Sequence, residues 1–135
     1  MKNPWYICVM ALLFLFLLFS CKTLEIEDIV ITGTWKFTLI DSDGSQSFWT
    51  FLLEGTQSSG RVTSISTSGV QNGRYTRNKE KVYIVYIYGR GLFFTLKCNG
   101  YLKLDQSMVG SWTKEAWDGS TNSGSFTAKK EKQNQ

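Results

Sequence analysis

Leu92-Phe93-Phe94-Thr95-Leu96-Lys97-Cys98-Asn99-Gly100-Tyr101-Leu102-Lys103-Leu104 decides how the rest of the chain is read. Its even positions are apolar or small, and the odd positions between them include Thr95, Lys97, Asn99 and Lys103. Successive strand side chains point to opposite faces, so this period of two marks a half-buried β-strand. The pattern resumes after Asp105-Gln106-Ser107 with Met108, Gly110 and Trp112, then closes with Gly124, Phe126 and Ala128. Asn99-Gly100 has the composition of a two-residue hairpin. A turn there would pair Cys98 with Tyr101, sending Leu102 and Leu104 outward and Lys103 inward. Continuing the strand keeps both leucines on the core face. The expectation is therefore one long strand with a bend or bulge at Gly100, followed by a hairpin that sets Leu104 opposite Met108.

Working outward, the same alternation supplies further strands. Trp35, Phe37 and Leu39 alternate with Thr34, Lys36 and Thr38, and Asp41 to Ser45 is turn chemistry. Trp49, Phe51 and Leu53 share one face of a second strand, with Phe48 and Leu52 on the other. A third strand near Gly60–Ser66 is weak, and its register is not set by the sequence. A short fourth strand starts at Gly73-Arg74-Tyr75-Thr76. The fifth, Val82 to Tyr88, is apolar on both faces. A three-residue turn Gly89-Arg90-Gly91, with Gly91 left-handed, sets Tyr88 opposite Leu92 and fixes the parity. Val82, Ile84, Tyr86 and Tyr88 then face inward; Tyr83, Val85 and Ile87 face out. Eight strands with hairpin-length connections predict an all-β, antiparallel up-and-down barrel, which closes without exposed edges.

Composition fits one domain. The 135 residues are 42% hydrophobic and 15% aromatic, enough to fill a single core. Net charge is +4, too mild to point to nucleic acid. Met1-Lys2 followed by the apolar run Ile7–Phe19 has the layout of a secretory signal segment, and the run is shorter than the roughly 20 residues of a membrane span. Leu18-Phe19-Ser20-Cys21 resembles the lipobox of bacterial lipoproteins. That resemblance implies cleavage before Cys21, lipidation of Cys21 (diacylglycerol and palmitate) and attachment to the cell envelope. Lys22 stands where a retention Asp would sit, which implies the outer membrane. The alternative is an uncleaved anchor. The expected organisation is a signal peptide over 1–20, a lipidated tether over 21–30, the barrel over 31–130 and a polar tail over 131–135.

Gly33-x-Trp35 resembles the Gly-x-Trp of calycins, the lipocalin and avidin-like group. Met108-x-Gly110-x-Trp112 and Gly124-x-Phe126-x-Ala128-Lys129 resemble the ends of small lipocalin-like lipoprotein domains. The resemblance implies that Trp35 packs at the closed end of the barrel near a basic residue of the last strand, Lys129 or Lys130.

The sequence contains no His, so neither a Ser-His-Asp nor a Cys-His arrangement is available. Asp41, Asp43, Glu80, Asp105 and Asp118 stand in turns, where carboxylates serve loop geometry. No phosphate loop or metal-ligand spacing is present, and no cofactor is expected. With Cys21 lipidated, Cys98 is left without a disulfide partner, and its inward parity reads as a small buried hydrophobe. Binding is the better expectation. Trp35, Trp49, Tyr75, Tyr86, Tyr88, Phe94 and Trp112 are the candidate interior ligand-binding residues, either lining a shallow pocket at the mouth or simply filling the barrel. A second expectation is an interaction stripe of Tyr83, Val85, Ile87, Phe93 and Tyr101, used in self-association or a protein contact, unless Leu24–Ile31 covers it. Arg74, Arg77, Lys79, Lys81 and Arg90 form either a solvated rim or a face toward anionic lipid.

Overall fold

The computed structural model describes residues 4–19, 23–66 and 69–133. A helix, α1 (Pro4–Phe19), precedes a single 3-10 turn at Ile26–Asp28 and then eight strands: β1 (Gly33–Asp41), β2 (Gln46–Gly55), β3 (Ser59–Ser64), β4 (Val70–Asn78), β5 (Lys81–Arg90), β6 (Leu92–Leu102), β7 (Ser107–Ala116) and β8 (Thr121–Lys130). Each strand pairs antiparallel with the next, and β1 pairs with β8, so the sheet is a closed up-and-down barrel. No helix among the described residues is long and apolar enough to cross a membrane. The residues of the lipobox resemblance, Cys21 included, lie outside the described residues.

Closure gives all inward side chains one shared interior. Trp35, Phe37, Phe51, Leu53, Ile84, Tyr86, Leu96, Cys98 and Phe126 are buried there. Among the described residues every buried hydrophobic one falls between Ile29 and Ala128, and the described α1 side chains are exposed. Residues 23–135 therefore contain the whole packed unit.

The parity of β5 and β6 follows the sequence pattern, but the hairpins are displaced by two residues. Tyr88 pairs with Phe94, not Leu92, and Leu102 pairs with Met108 in place of Leu104. A shift of two leaves every side chain on its own face. It does carry Leu92 and Leu104 to the rims, where they are 50% and 53% exposed, correcting their expected burial. The register through Gly100 is continuous on both sides, so no bulge forms there. Gly100 instead makes room: a Cβ at that position would stand 2.7 Å from Met108 Sδ and 2.9 Å from Phe126 Cζ.

Three hairpins share one turn. In Asp43-Gly44-Ser45, Asp105-Gln106-Ser107 and Asp118-Gly119-Ser120 the middle residue has positive φ, and the Asp carboxylate accepts the Ser backbone N–H two residues on, at 2.8 to 3.0 Å. Leu104 and Trp117 occupy the same outward position of this turn, which is why both are exposed. Hydrogen bonds from these serines hold all three carboxyls below the usual carboxylate range.

One end of the barrel is plugged by the segment before β1. Ile29 and Ile31 enter the core, and Ile26 packs against it. Arg77 donates from Nη1 to Ile29 O and from Nη2 to Ile26 O, both at 2.6 Å, and from Nε to Lys79 O at 2.7 Å. Trp35 Nε1 donates to Ile31 O at 2.8 Å and Lys130 Nζ to Val30 O at 2.7 Å. Trp35 pairs with Lys130 across β1 and β8, so Lys130, not Lys129, is the basic residue at this end. Gly33, at φ +125°, brings the chain into β1. A Cβ there would stand 2.9 Å from Lys130 Cε.

Two expectations follow for residues 23–135. Arg77→Ala removes charged donors from two plug carbonyls and should cost about 2 kcal/mol in denaturant unfolding, with faster amide exchange over Ile26–Ile31. An unchanged unfolding midpoint would show that the plug is held without Arg77. The turn aspartates have folded pKa values below their unfolded ones, so their stabilisation is complete above about pH 4 and lost as pH falls through the folded values. The triple variant Asp43→Asn, Asp105→Asn, Asp118→Asn should therefore flatten the acid limb of the melting-temperature profile.

Candidate functional site

The end opposite the plug, formed by the turns after β1, β3, β5 and β7, carries no comparable cover among the described residues. A continuous run of aromatic rings leads to it. Phe126 stacks on Phe37 (centroids 5.2 Å), which meets Phe51 edge-on at 5.2 Å. Phe51 contacts Trp49 at 5.7 Å and Tyr86 at 5.0 Å. Trp49 and Tyr86 both meet Tyr88, at 5.0 and 5.4 Å, and Tyr88 stacks on Phe94 at 5.6 Å. Phe37, Phe51, Tyr86 and Phe126 are buried; Trp49, Tyr88 and Phe94 are half-buried. The rings of this run are in contact from the core outward, and its half-buried members, Trp49, Tyr88 and Phe94, lie at this mouth.

Lys114 completes the cluster. Its Nζ lies 4.7 Å from the Phe94 ring centroid and 5.7 Å from that of Tyr88, within cation–π range. The residue was not among the sequence candidates. Its parity is that of Met108 and Trp112, so the alternation of β7 already placed it inward.

The seven interior candidates divide by position. Trp49, Tyr88 and Phe94 come together at the mouth, with Tyr86 directly beneath. Trp35 and Tyr75 belong to the plugged half: Trp35 bonds Ile31 O, and Tyr75 OH donates to Thr56 O at 2.5 Å. Trp112 lies against the β1–β8 wall and donates from Nε1 to Ile40 O at 3.2 Å. Tyr86 OH donates to Gln71 Oε1 at 2.7 Å, and the same oxygen accepts the Ser64 N–H at 2.8 Å. That bridge lies beyond the last β3–β4 pair, Arg61 with Arg74. The polar tips of Trp35, Tyr75, Tyr86 and Trp112 thus all have protein partners. Trp49 Nε1, Tyr88 OH and Lys114 Nζ have no hydrogen-bond or ion-pair partner among the described residues.

On the outside, Tyr83 and Ile87 of β5 and Phe93 and Tyr101 of β6 are exposed and Val85 is half-buried. Asn99, Lys97 and Thr95 stand opposite Tyr83, Val85 and Ile87, so Phe93 and Tyr101 are separated along β6, and Ile26, Ile29 and Ile31 plug the barrel end. No group of three His, Cys, Asp or Glu residues suited to a metal exists among the described residues. Burial pushes the Cys98 thiol up to about 12, which removes thiolate chemistry at neutral pH.

The molecule is thus a closed eight-stranded β barrel with one plugged end and an aromatic mouth carrying a lysine. Neither a protein-family model nor a curated protein matches the chain. Among solved structures, a redesigned β barrel aligns with a TM-score of 0.55, covering 76% of this chain and 92% of that one at 15% identity. Likeness at that identity concerns the fold alone.

Cys98 is the single cysteine of residues 23–135. A thiol-reactive disulfide reagent at pH 8 should leave the folded protein unmodified and label it fully in denaturant. Labelling at the rate of a free thiol would contradict its burial.

Proposed function

We propose that the protein is a lipid-anchored, lipocalin-like barrel of the bacterial cell envelope that binds a small amphipathic ligand at its mouth. The ligand's apolar body would lie on Trp49, Tyr88 and Phe94. Its acceptor-bearing or anionic head would meet the donors of Trp49, Tyr88 and Lys114. The observation that carries this reading is the contrast in polar tips: the four deeper aromatic donors are bonded within the protein, whereas the three donors at the mouth are not. Three donors without an acceptor, set against half-buried rings, suit a ligand with oxygen at one end and hydrocarbon along its length.

Support for the lipocalin-like part is the buried Trp35 with Lys130 opposite it at the plugged end. Support for the anchor is the apolar segment followed by Ser20-Cys21.

A long-chain fatty acid and its methyl ester form the diagnostic pair of probes. Titrating residues 23–135 with the acid should change tryptophan fluorescence, and Trp49→Phe should remove most of that change. Lys114→Met should weaken the acid about tenfold, the loss of one charge-assisted contact, and leave the ester within about twofold. Acid and ester bound alike by both proteins would remove Lys114 from the site. The anchor is tested separately: Cys21→Ser should abolish incorporation of labelled palmitate and move the protein into the aqueous phase on detergent partition.

A further inference from the structure

The charges of the barrel wall are not evenly mixed. β3 to β6 contain Arg61, Arg74, Arg77, Lys81, Arg90 and Lys97 and neither Asp nor Glu. The other four strands carry both signs, with Asp41, Glu54 and Glu115 beside four lysines. Register lines up Arg61, Arg74, Val85 and Lys97 in one cross-strand row, with Glu54 of β2 at its edge opposite Arg61. Arg61 and Arg74 stand directly opposite each other, an arrangement that costs stability through like-charge repulsion. Neither has a hydrogen-bond or ion-pair partner among the described residues. The two flank a surface hollow of about 450 Å³ with Ser59, Asn72 and Thr76. A second hollow of about 330 Å³ lies between Tyr83 and Tyr101, beside Lys81. Tyr83, Ile87, Phe93 and Tyr101 are 37–52% exposed on this wall.

The segment before β1 is held at the plugged end partly by β4, one strand of this wall. Arg77 of β4 holds the carbonyls of Ile26 and Ile29, so the tether runs over the plugged end next to β4. Four residues lie between Cys21 and Ile26, so the two are at most about 18 Å apart along an extended chain. Whatever surface the tether is attached to therefore lies near the plugged end of the barrel, within reach of the β4 side.

We propose that the outer face of β3–β6 docks on a bilayer of anionic phospholipid, with Arg61, Arg74, Lys81 and Lys97 against the headgroups and Tyr83, Phe93 and Tyr101 in the interfacial layer. Cations in excess over a single edge carboxylate, Glu54, and interleaved with tyrosine and phenylalanine suit that layer in both charge and polarity. The choice of a bilayer rests on the anchored reading of the N-terminal segment; the docking itself needs neither the anchor nor the ligand at the mouth.

Residues 23–135, which hold the whole packed unit and lack the anchor, are to be sedimented with two vesicle preparations. One contains phosphatidylglycerol mixed with phosphatidylcholine, the other phosphatidylcholine alone. Binding to the first and not the second, weakening as salt rises, is the expected result. The triple variant Arg61→Gln, Arg74→Gln, Lys97→Gln should lose on the order of a hundredfold in partition, about fivefold for each cation. Lys36→Gln, Lys129→Gln, Lys132→Gln removes the same charge from the opposite side and should stay within about threefold of the parent. Both variants are checked for the parent's circular dichroism and melting curve. Equal binding to both vesicles, or equal loss in both triple variants, overturns the proposal. So does binding of a single-stranded oligonucleotide without any vesicle binding, which would make the wall a nucleic-acid face. If Cys21 proves unlipidated while the wall still binds anionic vesicles, the anchor fails and the docking stands.

Discussion

Pairing of β1 with β8 is the constraint on which the molecule depends. An open eight-stranded sheet would bury one face only by finding another layer, and the described residues contain no amphipathic helix to supply one. Closure makes the sheet its own second layer and removes both edges. It also creates an interior of fixed width, which large side chains must fill without colliding. The glycines at inward positions answer that need. Gly100 yields to Met108 and Phe126, and Gly124 yields to the indole of Trp112, whose Nε1 would stand 2.8 Å from an added Cβ. The core is a fitted set of large and absent side chains, in which a missing Cβ matters as much as a ring.

A closed wall leaves chemistry to its two ends, and the chain treats them differently. At the plugged end the polar groups are matched. Arg77 caps carbonyls of the 3-10 segment, Trp35 and Lys130 take two more, and Gln57 accepts the Ile31 N–H at 3.0 Å. Desolvation there lowers the pKa of both Arg77 and Lys130, the expected cost of bringing cations against apolar surface. Unmatched groups in that position would be expensive, so the matching is structural. At the mouth the donors of Trp49, Tyr88 and Lys114 have no hydrogen-bond or ion-pair partner among the described residues, although the three side chains are half-buried. The lysine gains cation–π energy from the rings beneath it, and its ammonium still has room for an acceptor, which is why function is sought at this end.

Most of this was legible in the residues because a sheet has a period of two. Parity survives any even shift, so Tyr86, Leu96, Cys98 and Trp112 could be placed inward although two hairpin registers were off by two residues. Hairpin position is not protected in this way. Leu104 reads as core by alternation, yet it sits in the same turn that exposes Trp117, and only the repeated Asp-x-Ser pattern betrays that. The β3–β4 seam was beyond pattern reading. Three backbone pairs hold it, and past them the Gln71 side chain stands in for the ladder by accepting the Ser64 N–H. A side chain replacing a strand partner leaves no periodic trace. Lys114 has the inward parity of Met108 and Trp112, but a charge on a core face breaks the apolar alternation that marks the strand, so the pattern alone does not single it out.

The two proposed surfaces are geometrically compatible in a way that neither requires. A barrel lying on its β3–β6 wall holds its axis along the bilayer, so that its mouth opens at the level of the headgroups and not into bulk water. Tyr88 and Phe94, which belong to the mouth, lie on β5 and β6, the strands that carry the exposed aromatics on their other face. An amphiphile leaving the membrane at that rim would meet the Lys114 side of the barrel after a short path, without crossing water as a free monomer. The hydrophobic cost of extracting a long-chain molecule grows by roughly 0.8 kcal/mol for each methylene exposed. A shorter exposed path therefore favours a rim in contact with headgroups over a mouth held away from them. Alternation along β5 thus serves two surfaces: its even positions build the mouth and its odd positions build the wall.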